Sequence, residues 1–309
     1  MLSYGALAWG IGCSLTSGLA YLLIEPYGWR GLIIGVSLLF SPSILFLAIT
    51  NESPRFDARK GNLARAEKTV ITIAQLNRAD MKKVKLKKSE FVPESDSNGF
   101  LEPIREMQSL GLGRDLIVLN IYSAFVIYLY YCLSYASPRF VNEGYCSVAK
   151  LSANKTCNFD NDSLFDIGVI GLFEPLGVLI AIFLVDKIGR RKTFQLANGI
   201  IFLSLTALYF CVNNLYLMAL LIASKFGSAQ AGWAPTVLTV EYFPTTLRAF
   251  ALSFGISFQR FGALAGLISV NFLFNAGPRI VLVVCQVATV IMGICLVFLK
   301  RETMGTQLQ

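Results

Sequence analysis

Long apolar stretches alternate with short polar breaks along most of this chain. Residues 2–24 and 31–50 hold no charged side chain, and Glu25-Pro26-Tyr27-Gly28 makes a turn between them. A polar stretch follows from 51 to 115. Apolar segments return at 116–136, 165–185, 193–212, 215–240, 249–274 and 279–299. A bilayer crossing needs about 20 mostly apolar residues, so each segment is long enough for one. The uncharged run 193–224 exceeds one span, and Asn213-Asn214 marks the break. Asn275-Ala-Gly-Pro278 marks another tight turn. The pattern predicts eight membrane helices.

Composition leaves little else. Of 309 residues, 55% are hydrophobic and 15% charged, and the mean hydropathy is +0.60. A soluble domain carries roughly 25% charged residues, and one of this size has no core large enough for so much apolar surface. The fold class is therefore an all-α polytopic membrane protein. The sequence contains no His, which removes His-based zinc sites, Ser-His-Asp chemistry and a His proton relay together. No cluster of nucleophile and base or of metal ligands stands out. The reading is of a protein that is not an enzyme and uses no cofactor and no metal.

The net charge of +8 is a topology signal. Of 27 Lys and Arg residues, twenty fall in loops on one side, thirteen of them in 51–115. Five fall on the other side: Arg30, Arg139, Lys150, Lys155 and Arg279. The basic side is expected to be cytoplasmic, with both termini there. No basic patch stands on a soluble domain, so no nucleic acid is expected as a partner. The first segment has no basic stretch before it and is long enough to span, so it reads as a helix rather than a cleaved leader. The organisation expected is two helices over 1–50, a cytoplasmic loop over 51–115, a six-helix unit over 116–300 and a tail over 301–309.

Within the large loop, Leu63, Ala66, Val70, Ile73 and Ala74 recur at helical spacing, which predicts an amphipathic surface helix over 61–77. The run 82–88 offers five lysines to anionic lipid headgroups, or else is a solvated linker. On the opposite side, Asn154-Lys-Thr and Asn161-Asp-Ser are glycosylation sequons, which agrees with the orientation from charge. Cys146 and Cys157 share that oxidising side and are a candidate disulfide; the alternative is two unpaired thiols. The remaining cysteines lie in or beside helices and read as packing residues.

Ionisable side chains at bilayer depth are costly and therefore functional candidates. Glu174, Lys225 and Arg260 each lie about ten residues into a different span. Glu174 and Lys225 can neutralise one another, which leaves Arg260 as a net positive charge. A buried guanidinium suits a planar anion such as a carboxylate, sulfate or phosphate. The alternative is a structural salt bridge that only locks helices. Tyr128, Tyr131 and Tyr135 share a helix face that either lines a polar cavity or packs against a neighbour. Acid and base mix at the cytoplasmic helix ends: Glu52 and Arg55; Asp186, Arg190 and Arg191; Glu241 and Arg248; Arg301 and Glu302. Such groups can pair across helices to hold that face shut, or serve as positive-inside anchors alone.

These residues carry a resemblance. Asp186-Lys-Ile-Gly-Arg-Arg191 resembles the loop between the eighth and ninth helices of major facilitator superfamily transporters. Glu52-Ser-Pro-Arg55 is similar to the signature after the sixth helix of sugar and organic-ion carriers, and Glu302-Thr-Met-Gly305 to the ending of the twelfth. Ser53-Pro-Arg-Phe-Asp57, Gly61-Asn62, Tyr130-Tyr131, Gly189-Arg-Arg-Lys-Thr193 and Arg260-Phe-Gly-Ala-Leu264 resemble the synaptic vesicle two-related group. The resemblance implies a major facilitator fold, partial, with these eight helices matching helices five to twelve. It implies a multi-pass protein of the plasma membrane or a vesicle membrane that moves a small organic ion by alternating access. Arg260 falls where organic-anion and carnitine carriers place an Arg, which implies an anionic or zwitterionic substrate. The glutamine-rich seventh helix of hexose carriers is absent. Without the family's first four helices, a truncated, non-transporting membrane protein is the alternative expectation.

Overall fold

The structure is a computed structural model that describes residues 2–50, 52–59, 61–78, 102–143, 161–210 and 213–299. The described residues are helical or in short turns, with no strand among them. In chain order the helices are α1 (Leu2–Phe40), α2 (Pro42–Ile49), α3 (Pro54–Arg59), α4 (Leu63–Leu76), α5 (Glu102–Ser109) and α6 (Gly113–Glu143). Then come α7 (Asn161–Ile188), α8 (Arg190–Tyr209), α9 (Asn214–Gly232), α10 (Ala234–Tyr242), α11 (Thr245–Ala276) and α12 (Pro278–Phe298). The chain divides into two compact units, Met1–Ile33 with Pro103–Gln309, and Ile34–Glu102.

Two predicted boundaries change. The turn expected at 25–28 is a kink inside α1, where Gly28 takes φ 64° and ψ −170° beside Pro26. Only glycine adopts that backbone without strain, and one such residue redirects a helix with no loop. The segment expected as one helix over 215–240 is two, α9 and α10, separated at Trp233. Pro235 explains the break: it has no N–H to give the carbonyl of Ala231. That carbonyl accepts instead from the Tyr122 hydroxyl of α6 at 3.4 Å.

Five described stretches are long and apolar enough to cross a membrane: Ala8–Phe46, Gly113–Val141, Gly168–Ile188, Leu247–Ala276 and Pro278–Phe298. The first covers both segments expected before residue 50. Helices α8 and α9 turn polar groups into the protein: Thr193, Asn198 and Ser204 of α8 and Ser224, Lys225, Ser228 and Gln230 of α9 are all buried. Ser204, Ser224 and Ser228 donate to carbonyls of their own helices, and Asn198 donates to Thr289 of α12.

In the larger unit, α6 is the central element. It runs parallel to α11, with the Phe140 and Phe274 rings in tilted contact and Arg139 donating to Asn271 at 3.3 Å. Their backbones touch at two glycines. A Cβ on Gly262 would collide with the Ala124 carbonyl oxygen, and one on Gly266 would stand 2.7 Å from that of Tyr128. The Gly-xxx-Gly spacing thus forms a seam that no larger residue fits. Tyr122, Leu129, Leu133 and Phe140 of α6 meet Leu221 of α9, Leu247 of α11 and Met292 of α12 in one continuous core.

Helix α1 docks on α7 through a second proline. Pro175 cannot bond the carbonyl of Gly171. The Ser14 hydroxyl of α1 donates to it at 3.1 Å, and Gly10 lets the Pro175 ring approach to within 3.1 Å of where a Cβ would lie.

In the smaller unit, α4 covers most of the helix expected over 61–77, with Ala66, Thr69 and Ala74 buried. Helix α3 packs on it, and the buried Asp57 carboxylate faces Arg65 at 3.7 Å.

Candidate functional site: a cavity around a buried ion pair

Lys225 of α9 and Glu174 of α7 meet at 2.8 Å, with side chains 7% and 6% exposed. Charges held this far from water need further partners, and α6 supplies them. The Lys225 ammonium also donates to the Ser134 hydroxyl at 2.6 Å and stands 4.2 Å from the centre of the Tyr130 ring. The Tyr130 hydroxyl donates to the other Glu174 oxygen at 2.9 Å, and the indole N–H of Trp9 on α1 donates to that hydroxyl at 3.4 Å. Four helices thus meet at one neutral, hydrogen-bonded charge pair. Tyr130 and Ser134 lie one helical turn apart, so both point at α9.

A cavity of about 280 Å³ opens beside the pair. Trp9 and Gly10 of α1 form one wall, and Ile127, Tyr130 and Tyr131 of α6 another. Glu174 and Val178 line it from α7, Ser228 and Gly232 from α9, and Trp233 and Thr236 from the α9–α10 junction. Helix α11 contributes Ile256, Gln259 and Arg260. The size lies at the small end of the range for ligand sites. Four aromatic rings and one guanidinium face the space. Arg260 is exposed and has no ion-pair or hydrogen-bond partner among the described residues.

The structure therefore brings Glu174, Arg260 and Tyr131 to one cavity, with Lys225 directly behind Glu174. It places the other two tyrosines elsewhere. Tyr128 turns to α11, where its hydroxyl accepts from Ser269 at 3.0 Å. Tyr135 is 47% exposed and stacks on Tyr131. The periodicity points to the 128/131/135 face because three tyrosines share it. The ring that contacts both charges is Tyr130, and the signal for it is a polar residue one turn on, Ser134. Trp9 and Trp233 also line the cavity, two of only three tryptophans in the chain.

At the helix ends, Arg190 of α8 bridges Glu241 of α10 at 3.0 Å and Asp186 of α7 at 3.6 Å. Arg191 donates to the Val297 carbonyl at 3.1 Å, which ties α8 to α12. Arg248 caps the α10–α11 corner by donating to Phe243 at 3.4 Å. Glu52 is exposed and accepts from the Ser53 N–H. Asn161 opens α7. The side chains of Arg55 and Asn161, and Glu302, Asn154, Cys146, Cys157 and the basic run 82–88, lie outside the described residues.

The family profile described as "Sugar (and other) transporter" matches residues 1–309. The chain is 28% identical to svop-1 of Caenorhabditis elegans over 83% of its own length and 49% of that protein. It is 27% identical to the synaptic vesicle 2-related protein of Bos taurus over 97% of its own length and 55% of that protein. It is 21% identical to organic cation/carnitine transporter 7 of Arabidopsis thaliana, over 97% of this chain and 66% of that one. The chain thus spans about half the length of the first curated relatives it matches. Its backbone is similar to the major facilitator proton:xylose symporter XylE bound to 6-bromo-6-deoxy-D-glucose. The TM-score is 0.61 at 19% identity, covering 99% of this chain and 65% of that one. Helices long enough to cross a bilayer, a charge pair held between them, a match along the whole chain and a shared backbone lead to one conclusion: this is an integral membrane protein of the sugar (and other) transporter family, with the major facilitator fold.

Proposed function

We propose that this chain forms the larger part of a secondary active transporter for a small organic anion or zwitterion. The observation that carries the reading is the charge balance of the cavity. Lys225 and Glu174 cancel each other, and Arg260 at the wall has no ion-pair partner among the described residues. A guanidinium offers two parallel N–H donors to a carboxylate. The rings of Trp9, Tyr130, Tyr131 and Trp233 suit an apolar body or a quaternary ammonium at the other end of the same solute. The expected transport cycle is alternating access around this midplane site. The Arg190–Glu241 and Arg190–Asp186 pairs form and break at the cytoplasmic ends as the site changes sides. The loop charges support that orientation.

The test is uptake by the full-length protein in liposomes, with labelled benzoate, succinate and glycine betaine as probes. One charge-assisted hydrogen bond contributes about 1.5–3 kcal/mol, so Arg260→Ala lowers uptake about tenfold or more. Arg260→Lys retains part of it. Uptake by Arg260→Ala equal to the parent would overturn the role of Arg260.

A further inference from the structure

We propose that Cys132 and Cys285 are a redox-sensitive thiol pair, which a hydroperoxide oxidises to a disulfide joining α6 to α12. The two sulfurs lie 3.3 Å apart, although 153 positions separate them in the chain. Both side chains are fully buried. The cysteines belong to helices that pack along each other, so the bond forms without moving an element. Disulfide sulfurs stand about 2.05 Å apart, and side-chain rotation closes the remaining distance. The Ser269 hydroxyl donates to that of Tyr128 at 3.0 Å, and both hydroxyls lie beside Cys132 to relay protons. Neither Cys13 nor Cys295 has a neighbouring thiol among the described residues.

The chemistry balances with one peroxide. One sulfur attacks a peroxide oxygen and the O–O bond breaks. Its thiol proton leaves with the displaced hydroxide as water, and the sulfur becomes a sulfenic acid. The second sulfur attacks the first, the S–O bond breaks and a second water departs. Two thiols lose two electrons and the peroxide gains them. Burial slows the first step, because the peroxide must reach two side chains closed off from water. The second step is intramolecular between groups already in contact, so it outruns further oxidation. The bond would fix α6 at a position directly after Tyr130 and Tyr131, both of which line the cavity.

The experiment uses the full-length protein in membranes, treated with hydrogen peroxide, then denatured in N-ethylmaleimide, digested and mapped without reduction. The expected product is the Cys132 peptide joined to the Cys285 peptide, two hydrogens lighter than their sum and separated by dithiothreitol. In Cys285→Ser the same treatment leaves Cys132 as a sulfenic acid that dimedone captures. Recovery of both cysteines as maleimide adducts, under peroxide that fully cross-links a cysteine pair engineered elsewhere in the bundle, would overturn the proposal. The wild-type map needs no variant, so a variant that fails to accumulate does not affect the result.

Discussion

Two ion pairs in this molecule sit in opposite surroundings. Lys225 and Glu174 are closed off from water, at 2.8 Å, with 7% and 6% of their side chains exposed. Arg190 and Asp186 meet at 3.6 Å, and three quarters of the aspartate side chain is in solvent. Ser134 accepts from the inner pair's ammonium, Tyr130 donates to its carboxylate, and Trp9 donates to Tyr130 in turn. The aspartate of the outer pair has water to do the same, while Arg190 also donates to Glu241 and the Val185 carbonyl. The difference teaches that depth sets how many partners a charge must have. An exposed pair tolerates loss of a member, whereas a buried pair brings in neighbours from several helices and becomes the place where those helices agree on their positions.

The largest effect that tests this contrast comes from Glu174→Leu. It strands the Lys225 ammonium in the bundle and is expected to cost about 3–5 kcal/mol, read as a fall in the thermal unfolding midpoint of the full-length protein in detergent. Adding Lys225→Met removes the stranded charge, and the double variant recovers most of the loss. Equal instability of single and double variants would refute the assignment of the cost to an unpaired charge. Glu241→Gln is intermediate, because Glu241 and Arg190 are only 15% and 19% exposed. It is expected to cost about 1–2 kcal/mol in the same assay. Asp186→Asn is the smallest, below about 1 kcal/mol and reduced further by salt. A larger effect from Asp186 than from Glu241 would reverse the ordering by depth.

The sequence makes the apolar helices legible, because a bilayer demands long uncharged runs, and it marks Glu174, Lys225 and Arg260, because charge within such runs is rare. It is less informative about neighbours. Nothing in the spacing of Tyr128, Tyr131 and Tyr135 says which face α9 will meet, and the answer is the one carrying Tyr130 and Ser134. Gly262 and Gly266 are visible as a motif, but that α6 rather than another helix lies against them depends on tertiary packing. The contact between Cys132 and Cys285 is likewise set by the docking of α12 on α6. The prolines were partly legible: each announces a break in hydrogen bonding without saying which group will fill it.

That last feature bears on how the protein is made. Pro175 and Pro235 each leave a main-chain oxygen open, at Gly171 and Ala231. A bare carbonyl in hydrocarbon costs several kcal/mol. In both cases a hydroxyl from an earlier helix takes it up, Ser14 for the first and Tyr122 for the second. Synthesis runs from the N-terminus, so both hydroxyls are made before the open carbonyl emerges. Each late segment therefore enters the lipid with an adhesive spot whose receptor has already been synthesised, and the order of the sequence doubles as an order of assembly.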